Sequence, residues 1–88
     1  MHHRIIGNIA GLVDDRDDMS DNNPVVIEYH YFEGSDSIMC ITGISVYGAY
    51  PTLIRNLDPD ILRRQVESAI NNIEGDNVDF KTKTITIL

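Results

Sequence analysis

From Val25 to Phe32 the chain reads VVIEYHYF, a run of β-branched and aromatic residues that predicts a strand. A more apolar run, Ile38 to Ala49 (IMCITGISVYGA), follows it. The residues between them, Glu33-Gly34-Ser35-Asp36-Ser37, are turn formers, so the two runs predict a hairpin at the centre of a sheet. Upstream, Ile5 to Val13 (IIGNIAGLV) predicts a strand weakened by Gly7 and Gly11, where a bulge or a close backbone approach is expected, with a helix as the weaker alternative. The stretch Asp14 to Asn23 (DDRDDMSDNN) is almost devoid of apolar residues and is closed by Pro24, the composition of a solvated loop.

After Tyr50-Pro51 a short irregular or single-turn segment is expected. Asp58-Pro59-Asp60 then supplies an N-cap, a proline at the first helical position and an acid in the first turn. Leu62, Val66, Ala69, Ile70 and Ile73 recur on one helical face, with Arg63, Arg64, Glu67, Ser68 and Asn71 on the other, and Gly75 ends the helix. Val78 to Leu88 (VDFKTKTITIL) has strand character with a change of parity near Thr82, which predicts a bulge or bend. The order is β-β-β-α-β. It predicts one α+β domain over residues 1–88, a mostly antiparallel sheet of about four strands with one main helix on one face.

Strand parity divides the central hairpin into two faces. Val25, Ile27, Tyr29 and Tyr31, with Ile38, Cys40, Thr42, Ile44 and Val46, form an apolar set suited to the helix. On the other side lie Val26, Glu28, His30 and Phe32 with Met39, Ile41, Gly43, Ser45 and Tyr47. One helix of about 16 residues, about 24 Å long, covers only one side. Phe32, Met39, Ile41, Tyr47 and, at the strand end, Tyr50 are therefore expected to form an apolar patch that is either covered by a terminal segment or used for a dimer or partner contact.

Length and composition narrow the reading. With 88 residues, the chain buries about 60–65% of its unfolded surface in one thinly stable core. The single cysteine, Cys40, forms no internal disulfide and points to a reducing compartment, for which cytoplasm fits. No apolar run is long enough to span a bilayer, and Met1-His2-His3-Arg4 leads into the first strand without a leader-like pattern. Charge is uneven: residues 1–40 carry eight carboxylates against two arginines, and residues 41–88 carry six against five bases. Five of the first eight, Asp14, Asp15, Asp17, Asp18 and Asp21, fall in one loop, and Glu33 and Asp36 fall in the next. With no basic cluster, direct contact with nucleic acid or an anionic membrane is disfavoured, and a basic protein surface is the expected partner.

Candidate chemistry is sparse. The Asp15-x-Asp17 fragment departs from a calcium loop at the next positions, where Met19, Ser20 and Val26 stand in place of a ligand, the turn glycine and the bidentate glutamate. Glu28 and His30 share a strand face about 7 Å apart, and a carboxylate beside an imidazole can orient it for base catalysis. No nucleophile accompanies them, and the parity of Cys40 puts it on the opposite face. A hydrogen-bonded surface pair is the simpler expectation. Met1-His2-His3 with a free amine is a square-planar chelate for Cu(II) or Ni(II), which needs no biological role. No phosphate loop or dinucleotide fingerprint exists, and neither a catalytic residue nor a metal ligand nor a cofactor is assigned from the sequence. The expected function is that of a small acidic, non-enzymatic protein that inhibits or regulates a larger protein by occupying a basic surface, its carboxylates standing in for nucleic-acid phosphates. The alternative is a homodimeric assembly or regulatory subunit that uses the uncovered sheet face.

Overall fold

The computed structural model describes residues 1–9, 24–48 and 51–88. Their architecture is α+β: β1 (His2–Asn8), β2 (Pro24–Glu33), β3 (Met39–Gly48), α1 (Pro51–Arg55), α2 (Pro59–Glu74), β4 (Val78–Phe80) and β5 (Ile85–Ile87). The sheet order is β1-β2-β3-β4, with β5 continuing alongside β3 in line with β4. β1–β2 and β2–β3 are antiparallel, whereas β4 and β5 run parallel to β3. The chain reaches that parallel position through α2, as a parallel connection requires.

The first strand begins earlier than its hydrophobic pattern suggests. β1 starts at His2 and not at Ile5 and covers His2–Asn8, pairing in unbroken register with β2 from His2↔His30 to Asn8↔Pro24, while residues 10–13 of the expected strand, Gly11 among them, lie outside the described residues. Ile9 follows it into the core. The expected turn after β2 is a single 3-10 turn, Ser35–Ser37, in which Asp36 and Ser37 take positive φ of 60° and 61°. Aspartate tolerates that region better than most residues. Helix α2 follows the capping reading closely: Asp58 Oδ1 accepts the Asp60 N–H at 2.8 Å, and Gly75, at φ 85°, donates its N–H to the Asn71 carbonyl at 2.8 Å. Leu62, Val66 and Ile70 are buried on the sheet, but Ile73, expected on the same helical face, is exposed.

The largest departure from simple alternation is in β3. The register steps from His30↔Gly43 to Tyr31↔Ile41, leaving Thr42 as an extra residue, whose hydroxyl donates to the His30 carbonyl at 3.3 Å. A one-residue bulge reverses the face of every side chain beyond it. Ile44 and Val46 therefore face α2 as expected, but so do Ile41, fully buried, and Met39, packed against the core. Both are thus removed from the apolar face to which alternation assigned them. Cys40 changes sides as well: it pairs with Phe32, on the face of Glu28 and His30, and is buried beside Gly34.

The C-terminal strand breaks at the same level. Lys81 and Thr82 donate to the Ile41 carbonyl, and the Thr82 hydroxyl bonds to both the carbonyl and the N–H of Thr84, turning the chain between β4 and β5. This is the bend that the parity change near Thr82 predicts. The core between sheet and helix is built from Ile9, Val25, Ile27, Tyr29, Ile41, Ile44, Val46, Ile54, Leu62, Val66 and Ile70. Each fully buried aliphatic side chain there contributes about 2 kcal/mol. Helix and edge strand meet closely at Gly7, where a Cβ would lie 3.1 Å from that of Ala69.

Candidate functional site

The sheet face away from α2 collects His2, Arg4 and Ile6 from β1, Val26, Glu28, His30 and Phe32 from β2, and Ser45 and Tyr47 from β3, because these are cross-strand partners or lie two residues apart. At its centre is a charged cluster around Glu28. Arg4 Nη2 donates to Glu28 Oε2 at 2.9 Å, and the Tyr47 hydroxyl donates to the same oxygen at 3.1 Å. The other oxygen, Oε1, lies 3.0 Å from His2 Nε2. His30, directly opposite His2, stacks its ring on that of His2 with centroids 4.8 Å apart and planes 27° apart. One ligand atom from each of His2, Glu28 and His30 lies within 4.8 Å of the others.

The electrostatics follow from that geometry. Hydrogen bonding from Arg4 above all, opposed in part by desolvation, holds the Glu28 carboxyl below its ordinary value, and Arg4 is correspondingly raised by Glu28. Desolvation, reinforced by the bond to Glu28, raises the Tyr47 phenol. Glu28 is therefore a fixed anion with three donors around it.

Apolar groups on this face form two islands and not one patch. At one end Ile6, 75% exposed, faces Val26, and Val26 faces Tyr47; with Pro24, Val25 and Gly48 they line an open apolar depression. At the other end Phe32 is 51% exposed. Of the residues expected on the apolar face, Phe32 and Tyr47 are there, Met39 and Ile41 are in the core side, and Tyr50 lies outside the described residues.

The acidic residues divide similarly. Asp14, Asp15, Asp17, Asp18 and Asp21 lie outside the described residues; of the described residues on either side of them, Pro24 pairs with Asn8 beside the Ile6 depression. Glu33 and Asp36 are exposed at the other end of β2, about 30 Å from Pro24 at the usual rise of a strand.

A second polar cluster lies on the helix side. Tyr29, with no exposed surface, donates its hydroxyl to Glu74 Oε1 at 2.7 Å; His3 Nδ1 lies 3.0 Å from the same oxygen, and His3 Nε2 lies 2.9 Å from the Tyr31 hydroxyl. Burial first and the Glu74 bond second push the Tyr29 phenol up, the reverse of what a base or nucleophile needs. This network seals the end of the core where α2 meets β1 and β2. Because neighbours on a strand face opposite ways, His2 and His3 are on different sides of the sheet, and a chelate through the amino terminus and His3 requires β1 to leave β2.

Sequence reasoning placed Glu28 and His30 together but missed His2, Arg4 and Tyr47 as their neighbours. Those depend on the register of β1 and β3, for which the only sequence signal is that each strand also alternates. The chain matches no family model, no curated protein and no solved structure among those compared.

Proposed function

We propose that this chain is a small protein-binding module that docks on a basic surface of a larger protein and regulates or inhibits it. The supporting observation is the Asn8↔Pro24 pair: it fixes both ends of a segment with five aspartates and one arginine to the end of the sheet that carries the apolar Ile6, Val26 and Tyr47 depression. Carboxylates steer a cationic partner and set its orientation, while a desolvated apolar contact beside them supplies lasting affinity. Nucleic-acid-handling surfaces are the class of basic surface that such a carboxylate array suits. Cytoplasm is the compartment that accords with the single thiol of Cys40, and among the described residues no helix is long and apolar enough to cross a membrane.

The homodimer alternative draws less support. A self-complementary interface has an apolar, charge-depleted centre, whereas the centre of this face is occupied by Arg4 and Glu28, with apolar residues at its two ends. Affinity capture from lysate at low and moderate salt tests the proposal, with the wild type compared with a variant carrying Asp14→Asn, Asp15→Asn, Asp17→Asn and Asp18→Asn, and with Ile6→Glu. A basic protein retained by the wild type and lost with both variants is expected. Retention indifferent to both variants, or of further copies of this chain alone, overturns it.

A further inference from the structure

We propose that His2, Glu28 and His30 bind one divalent transition-metal ion, Zn2+ foremost, on the open sheet face, with solvent completing the coordination. This goes beyond the docking role and does not depend on it. Two imidazole nitrogens and one carboxylate oxygen are a donor set for zinc and its neighbours and not for magnesium or calcium, which take oxygen ligands. The three residues project from the same side of two paired strands, with His2 opposite His30 and Glu28 two residues before His30, so the backbone holds all three side chains on one side.

Glu28 is already divided between two tasks. Its Oε2 takes the hydrogen bonds of Arg4 at 2.9 Å and Tyr47 at 3.1 Å, which fixes the carboxylate plane and leaves Oε1 directed at His2 Nε2, 3.0 Å away. Partners of this kind orient metal ligands. A tetrahedral zinc with bonds of about 2.0–2.1 Å brings ligand atoms to about 3.4 Å from one another. From a widest separation of 4.8 Å, that closure takes only side-chain rotation of two exposed histidines. The ion takes the place of the hydrogen bond between His2 and Glu28. His3 has no part in it, since its ring lies on the other side of the sheet against Glu74 and Tyr31.

The test is a titration of the full chain with ZnCl2, followed by calorimetry and by 1H–15N imidazole spectra. The expected result is saturable binding of one ion, with the resonances of His2 and His30 shifted and those of His3 unmoved. His30→Gln abolishes binding, and Tyr47→Phe weakens it by about tenfold through the unfastened carboxylate. Because His30 is exposed and Tyr47→Phe keeps the half-buried ring and removes only its hydroxyl, the far-UV spectrum is expected to stay unchanged; the wild-type imidazole shifts decide the question even if a variant misfolds. Absence of saturable binding, a shift of His3 in place of His30, or a folded His30→Gln that binds as the wild type does overturns the proposal.

Discussion

At Glu28 two neighbouring strands supply the partners: Arg4 and His2 come from β1, and Tyr47 comes from β3. The carboxyl is held below its unfolded value chiefly by Arg4, so its interactions stabilise the fold above the ordinary glutamate range, near pH 4.5, and this contribution is lost as pH falls through the lower folded-state value. The wild type should therefore be more resistant to urea than Glu28→Gln at pH 7, and the difference should disappear in acid; equal midpoints at pH 7 would remove Glu28 from the stabilising set. Tyr29 gives a second residue-scale expectation. Tyr29→Phe removes the donor to Glu74 inside the core and should cost about 1–2 kcal/mol in chemical denaturation. How much of this could be read from the chain is uneven. The shared face of Glu28 and His30 follows from their spacing alone. Their cross-strand neighbours do not, because a one-residue change of register would place a different side chain beside them.

Elements with their own local signals were legible, and those set by pairing were not. Helix α2 carries its start and stop in Asp58, Pro59 and Gly75, and its ends match that reading. Asp58→Ala should lower stability by about 1 kcal/mol through loss of the cap on the Asp60 N–H, read as a fall in denaturation midpoint. The bulge in β3 has only a weak signature in its residues, Gly43 beside Thr42, since a glycine inside a strand can mark a bulge, and only pairing reveals that Thr42 is the extra residue. That single insertion moves Ile41 from an expected surface to the core. Gly7 was legible as a weak point of β1, and the structure supplies the reason. A Cβ there would lie 2.7 Å from Ile27 Cδ1 as well as 3.1 Å from the Ala69 Cβ, so Gly7→Ala should destabilise by about 1–3 kcal/mol as β1 and α2 are pushed apart. Unchanged stability would mean that the helix and strand separate freely.

On the scale of the whole molecule, the formal charge of −7 is uneven along the chain: the segment 10–23 holds −4 of it, from five aspartates and Arg16, and the rest of the chain holds −3, from nine acids and six bases. Mutual repulsion within such a segment opposes folding, so the four-Asn variant should fold as well as the wild type or better at low salt, with the gain shrinking as salt is added. The uneven charge was visible in the sequence. That the residues flanking the acidic segment, Asn8 and Pro24, meet beside Ile6, Val26 and Tyr47 was not, since that follows from the register of β1 on β2. The proposed docking surface makes two separable contributions to binding, one electrostatic and one apolar. The salt dependence of affinity for the captured partner, measured for the wild type, the four-Asn variant and Ile6→Glu, tests this directly. The wild type should weaken steeply with salt, the four-Asn variant should bind weakly with a much shallower slope, and Ile6→Glu should weaken binding at every salt concentration without flattening the slope. A wild-type affinity that is flat in salt, or one that Ile6→Glu leaves untouched, contradicts a docking surface made of the acidic segment and the open sheet face together.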